Sequence, residues 1–199
     1  MRQGALHSRR RPRIVTGKGK GMQLSNAERL MLAMLCEIHE ASGVRNGINS
    51  ALVRKALESG NDWAIPADVQ LPWRDESGNP PHVTHVLDIL DMWSTIEDSY
   101  AALRPDETTR YASETGHTYD PQFPGFHEHS EFDEHSAARF LIDHMGRFSI
   151  FAGRGLISHH PTIARSRRML ASFVPIRATL GSRNPALMTV DELIAVIKA

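Results

Sequence analysis

The chain has 199 residues, 23 Lys+Arg, 23 Asp+Glu and 11 His, a formal net charge of zero with the histidines neutral, and its 41 % hydrophobic content excludes disorder of the whole chain. A single cysteine excludes an intramolecular disulfide framework and any zinc site built from several thiolates. The longest wholly apolar run, the seven residues Leu30 to Cys36, is far short of the roughly 20 that span a bilayer.

The zero is a sum of unlike parts. Residues 1–21 hold seven bases (Arg2, Arg9, Arg10, Arg11, Arg13, Lys18 and Lys20) and no acid, which leaves 16 bases against 23 acids in residues 22–199, a body near −7. The arm has too few large apolar groups to offset ordering entropy and is expected to be disordered. It lacks the apolar stretch of a secretory signal, so a soluble, cytoplasmic protein is expected. Met22 suits a start residue, and residues 1–21 read either as an extension without function or as a nucleic-acid contact. In the second reading Arg9, Arg10, Arg11, Arg13, Lys18 and Lys20 meet phosphates without sequence preference, and no aromatic is present to stack on bases.

Beyond Met22 the pattern is helical. Ser25 and Glu28 form a capping box that opens a helix to about Glu40, and Ala27, Leu30, Met31, Met34, Leu35 and Ile38 make an apolar stripe expected to face the core. Asn49 caps a second helix carrying Leu52, Val53, Ala56 and Leu57, with Gly60 just past its end. Residues 61–81, with Pro66, Pro72, Pro80 and Pro81, read as an ordered loop anchored by Trp63 and Trp73. The longest helix runs from Pro81 to Arg104, its apolar face from Val83 to Leu103 opposed by Asp88, Asp91 and Asp98. A short helix follows over Asp106 to Ser113.

After a Pro/Gly-punctuated loop over 116–128, Ser130 and Asp133 suggest a second cap and a helix ending at Gly146. Phe148, Ile150 and Phe151 suit a brief extended stretch. Pro161 opens a helix bent or ended near Pro175, and Thr189 with Glu192 forms a further capping box before Val190, Leu193, Ile194 and Ile197. No sustained period-two alternation and no repeat is present. The predicted fold is all-α, one domain (residues 22–199) of six or seven helices with long Pro/Gly-rich loops.

Several strings carry a resemblance. Asn26-Ala27-Glu28-Arg29-Leu30, Leu87 to Trp93, Phe123-Pro124-Gly125-Phe126, Arg139 to Ile142, Gly146-Arg147-Phe148, Ser158-His159 and Arg168-Met169-Leu170 resemble, in order and spacing, the YfbU family of prokaryotic proteins. The resemblance covers nearly all of 22–199 and implies an all-helical domain of unknown activity. Some relatives join it to a DNA-binding helix-turn-helix, which implies ligand binding; no such added domain is evident here.

Seven of the 11 histidines lie between 117 and 160, the densest string being 127–135. His127, His129, Glu131 and His135 are candidate metal ligands, since imidazole nitrogens and carboxylate oxygens bind divalent ions and His-x-His presents two rings together on an extended strand. The spacing is poor for a helical site, because Glu131 stands where a His-Glu-x-x-His motif has its second histidine. The competing reading is a solvated helix start in which acids suit the dipole. Cys36 with His39, and Ser158 with His159 and His160, lack the context of nucleophilic sites.

The polar residues that recur in the resemblance are Glu131, Arg139, Arg147 and His159. Arginine in such a set binds a carboxylate or phosphate bidentately, or pairs with an internal carboxylate. Arg165, Arg167 and Arg168, early in their helix, need anionic partners within the chain or in a neighbouring subunit. The favoured expectation is a non-enzymatic, self-associating domain that binds a small anionic ligand or a protein partner between the 130–146 and 158–173 helices. A metal-dependent protein and a nucleic-acid-associated regulator are the alternatives.

Overall fold

The computed structural model describes residues 22–44, 47–68 and 78–199, so the basic arm, with its nucleic-acid candidates, and Trp73 lie outside the described residues. Among the described residues there are eight α-helices and two strands of two residues each.

Helix α1 (Asn26–Ala41) starts at the expected box: the Glu28 amide donates to the Ser25 hydroxyl at 3.3 Å and the Ser25 amide to the Glu28 carboxylate at 2.8 Å. Its packing reverses the expectation. Leu30, Met31, Met34, Leu35 and Ile38 are 55–63 % exposed, and Cys36 is the buried residue of the helix. The opposite face turns inward onto α2 (Ser50–Ser59): Arg29 pairs with Asp62 and donates to the Leu57 carbonyl at 3.2 Å, and His39 Nδ1 lies 3.2 Å from the Ser50 hydroxyl. At 100° per residue Cys36 sits about 170° from the middle of the Leu/Met stripe, so the helix has two apolar faces and periodicity does not say which is covered.

Helix α2 has the predicted caps. The Leu52 amide donates to Asn49 Oδ1 at 3.1 Å, Gly60 is left-handed, and Leu52, Val53 and Ala56 are buried. Part of the expected loop is instead a short helix, α3 (Ala64–Asp68). Pro66 is its third residue, in a first turn whose amides have no intrahelical acceptor, so the ring costs it no hydrogen bond. Trp63 anchors this turn as expected, its Nε1 donating to Asn61 Oδ1 at 2.9 Å and its ring set edge-on to Phe140 at 6.0 Å.

Helix α4 (Pro81–Ala101) is the centre of the molecule. The predicted face is buried from Val83 to Ile96, Tyr100 is half-buried and Leu103 falls past the helix end, and Ile89 and Met92 are also at 0 % exposure because α6, α7 and α8 all pack on α4. Of the opposing acids, Asp88 and Asp91 pair with Arg177 at 2.7 and 3.5 Å. Helix α5 (Pro105–Thr115) follows, with Pro105 at its first position and a left-handed Gly116 past its end.

Strands β1 (Phe126–His127) and β2 (Ile157–Ser158) pair in parallel. Between them α6 (Phe132–Arg139) runs into a π-helical turn, Phe140–His144, and stops at Gly146 as expected. The expected extended stretch is instead a 3-10 turn, Ser149–Phe151, entered through Phe148 at φ 51°. Helix α7 (Ile163–Leu180) begins two residues after Pro161 and continues through Pro175, with Phe173 before it and Leu180 after it buried. Helix α8 (Val190–Ile197) opens at the predicted Thr189/Glu192 box. One hydrophobic cluster extends from Cys36 to Ile197. No described helix is long and apolar enough to cross a membrane.

Candidate functional site

The two segments that carry the candidate residues meet through their backbones. Phe126 is in register with Ile157 and His127 with Ser158, and the Phe126 amide donates to the Leu156 carbonyl at 2.9 Å. Gly125 permits the approach: its φ is +81°, and a Cβ there would lie 2.2 Å from the carbonyl carbon of Leu156. The loop is also held from α4. Glu97 accepts the Phe123 amide at 2.8 Å and a bidentate pair from Arg154 at 2.8 and 2.8 Å, with the Arg154 guanidinium 5.2 Å from the Phe151 ring centre. Nothing in the sequence linked Glu97 with Arg154, because they are 57 positions apart and neither stands in a recognisable spacing.

Glu131 is the hub of the meeting point. It is 4 % exposed, and its carboxylate accepts the amides of His127 (2.9 Å), Thr162 (2.7 Å) and Ile163 (2.8 Å) and lies 3.0 Å from the Thr162 hydroxyl. Thr162 and Ile163 open α7, so a buried negative charge covers the amide donors at that helix start. Burial pushes the Glu131 carboxyl up, but the donors of Ile163, His127 and Thr162 together outweigh it and hold the pKa below the ordinary glutamate value. Its own helix gets no such service: α6 has no side-chain cap, and Ser130, the expected one, lies 2.8 Å from His127 Nδ1.

Glu131 is therefore engaged within the fold by four donors. Arg139 is exposed and pairs with Asp143 one turn along at 2.7 Å. His159 is exposed. Arg147 is half-buried, and among the described residues its guanidinium has no carboxylate partner; it lies 5.7 Å from the Phe148 ring centre, and burial lowers its pKa. No hydrogen bond or ion pair joins any two of Glu131, Arg139, Arg147 and His159. An open cleft of about 390 Å³ lies elsewhere, lined by Glu97, Tyr100, Leu103, Thr108, Asp120 and Gln122.

The model of the YfbU domain matches residues 22–199. The chain belongs to the YfbU family. No curated protein matches it. Within this YfbU domain the quoted strings acquire physical reasons: Leu87 to Trp93 is the buried centre of α4, Gly125 is the close approach to Leu156, and Gly146 ends the π-helical turn.

The four metal candidates of the YfbU domain are not gathered around one point. Glu131 turns toward α7, and the His129 side chain is 82 % exposed beside Glu128 at 3.5 Å. His135 Nε2 is buried without a hydrogen-bond partner. Among the described residues no group of three or more His, Cys, Asp or Glu side chains is placed to hold a metal ion. Burial pushes the Cys36 thiol up, and its neighbour His39 is engaged with Ser50, so no thiolate is favoured there. Ser158 accepts the His160 amide at 3.3 Å, a local turn rather than a catalytic pair. Arg165 and Arg168 reach carbonyls at the end of α8, Ile197 at 3.5 Å and Ala199 at 2.9 Å, which answers their need for negative partners within the chain.

Proposed function

We propose that this YfbU domain is a non-enzymatic binding protein that self-associates. The observation that carries the reading is the distribution of apolar surface. Of the twelve large hydrophobic side chains exposed among the described residues, seven lie between Leu30 and Ile48. The polar groups that would serve catalysis are engaged in the fold or stand apart from one another: Glu131 holds the start of α7, Arg139 pairs with Asp143, and Glu97 is occupied by Arg154 and the Phe123 amide. Concentrated apolar surface with dispersed polar chemistry favours association over turnover. Light scattering on the full chain over roughly 1 to 100 micromolar, the range where specific association shows, tests it. A mass above the 22.2 kDa chain is expected, and a monomer throughout would refute the reading.

One further observation favours a small anion as ligand. Arg147 is a half-buried cation with no carboxylate partner among the described residues, an arrangement that an added phosphate or carboxylate would relieve. Thermal shifts with phosphate, sulfate and citrate are expected for the natural chain and lost in Arg147→Ala. Equal shifts in both proteins would remove this ligand from the proposal.

A further inference from the structure

The outer face of α1 is the largest unexplained feature of the surface. Its outer side is apolar, its inner side mixes Leu32 and Cys36 with Arg29 and His39, and an apolar helix face is stable in water when it is covered. Helix α2 covers the side bearing Cys36 and leaves Leu30, Met31, Met34, Leu35 and Ile38 at 55–63 % exposure. Those five side chains present on the order of 500 Å², near the top of the range for the largest apolar patch on a monomer, where such patches are often functional. Covered in both copies, such a patch would bury about 1,000 Å² in all, the area that a specific interface needs.

We infer that two copies of the chain pair through the outer faces of α1, crossing at Met34 about a twofold axis. The inference rests on the self-association reading and adds the surface and its geometry. Two ridges of residues four apart run along the exposed face, Ala27-Met31-Leu35 and Leu30-Met34-Ile38, with a groove between them. A ridge of one copy fits the groove of the other and the reverse, so the face is complementary to itself, as a twofold interface requires. No charged side chain stands on the ridges. Glu28 and Glu37 flank them on opposite sides, and a crossing near −50°, the common angle for such ridges, carries the acids of the two copies away from each other as the helices diverge.

The test uses the full chain in a Cys36→Ala background, where residue 34 becomes the only thiol after Met34→Cys. Under mild oxidation this variant is expected to form a disulfide between copies, giving a species of twice the 22.2 kDa chain, while Val174→Cys on exposed α7 gives none. In a second variant, Met34→Lys sets two like charges together at the crossing and is expected to raise the dissociation constant by about 100-fold, with helicity unchanged. A dimer that neither cross-links at residue 34 nor responds to Met34→Lys overturns this interface and leaves self-association standing. A natural chain that is monomeric throughout overturns both.

Discussion

Helices α4 and α1 are built from similar material and come to opposite ends. In α4 apolar residues occur on nearly every side, and other helices cover nearly every side, so Ile89, Leu90 and Met92 reach 0 % exposure. In α1 the run from Leu30 to Cys36 also passes right round the helix, yet only the side bearing Cys36 is covered. The difference comes from position in the assembly of helices. Helix α4 has neighbours in α6, α7 and α8, whereas α1 lies outside α2 at the edge. Apolar periodicity predicts burial in both, and among the described residues no helix covers the outer face of α1.

Truncations at the two helices should differ most. Leu90→Ala in α4 is expected to cost about 2–5 kcal/mol, because the site is closed on every side and leaves a cavity. Met31→Ala in α1 should change the stability of the dissociated chain by less than about 0.5 kcal/mol. Urea unfolding at concentrations too low for association measures both, and equal losses would break the comparison.

Next in size is the carboxylate that joins the two candidate segments of the body. Glu131→Ala should cost about 1–3 kcal/mol by leaving the Thr162 and Ile163 amides without an acceptor, and amide exchange should rise at the start of α7 ahead of the rest. Unchanged exchange there would show that Glu131 does not hold the helix. Gly125→Ala should cost more than about 1 kcal/mol, since the new methyl would meet the Leu156 backbone at a left-handed φ. Both substitutions act on the body and should leave the oligomeric mass unaltered.

Acid should loosen the body in stages. Burial, with Arg167 nearby, holds the His85 pKa below its ordinary 6.5 despite Glu134, Asp88 and Glu131. A depressed folded pKa means that the contribution is complete above about 6.5 and is lost as pH falls through the folded value. Glu131 and Glu192 follow from about 4.5 downward, Glu192 reaching about 2 because Arg183 and the Thr189 cap hold its charged form. Stability measured by urea at pH 7.5, 5.5 and 4 should decline at each step. His85→Gln should flatten the first interval, and an unaltered slope would remove His85 as its cause. The smallest effect is at Arg139: its exposed pair with Asp143 is worth about 0.3–0.5 kcal/mol, so Arg139→Ala should barely move the midpoint.

Much of the helix map is legible in the residues because caps act locally. Ser25 with Glu28, Asn49 with Leu52, and Thr189 with Glu192 each close hydrogen bonds three positions apart, and all are present. The short helix at Ala64 was hidden because Pro66 signals a break everywhere except in a first turn, and the course of α7 past Pro175 depends on packing against α4.

The candidate site was less legible. His127, Glu131 and Thr162 are drawn together by a two-residue strand pair too short to leave a period, and Glu131 caps a helix 31 positions away rather than its own. From sequence alone this protein is all-helical, with defined helix starts, an α4 core and a YfbU domain over residues 22–199. Only tertiary structure decided that Glu131 is an internal anchor and that the Leu/Met face of α1 points outward. Local hydrogen bonds and side-chain spacing are written along the chain, whereas the choice between two apolar faces, and between possible partners for one carboxylate, depends on what the rest of the fold brings alongside.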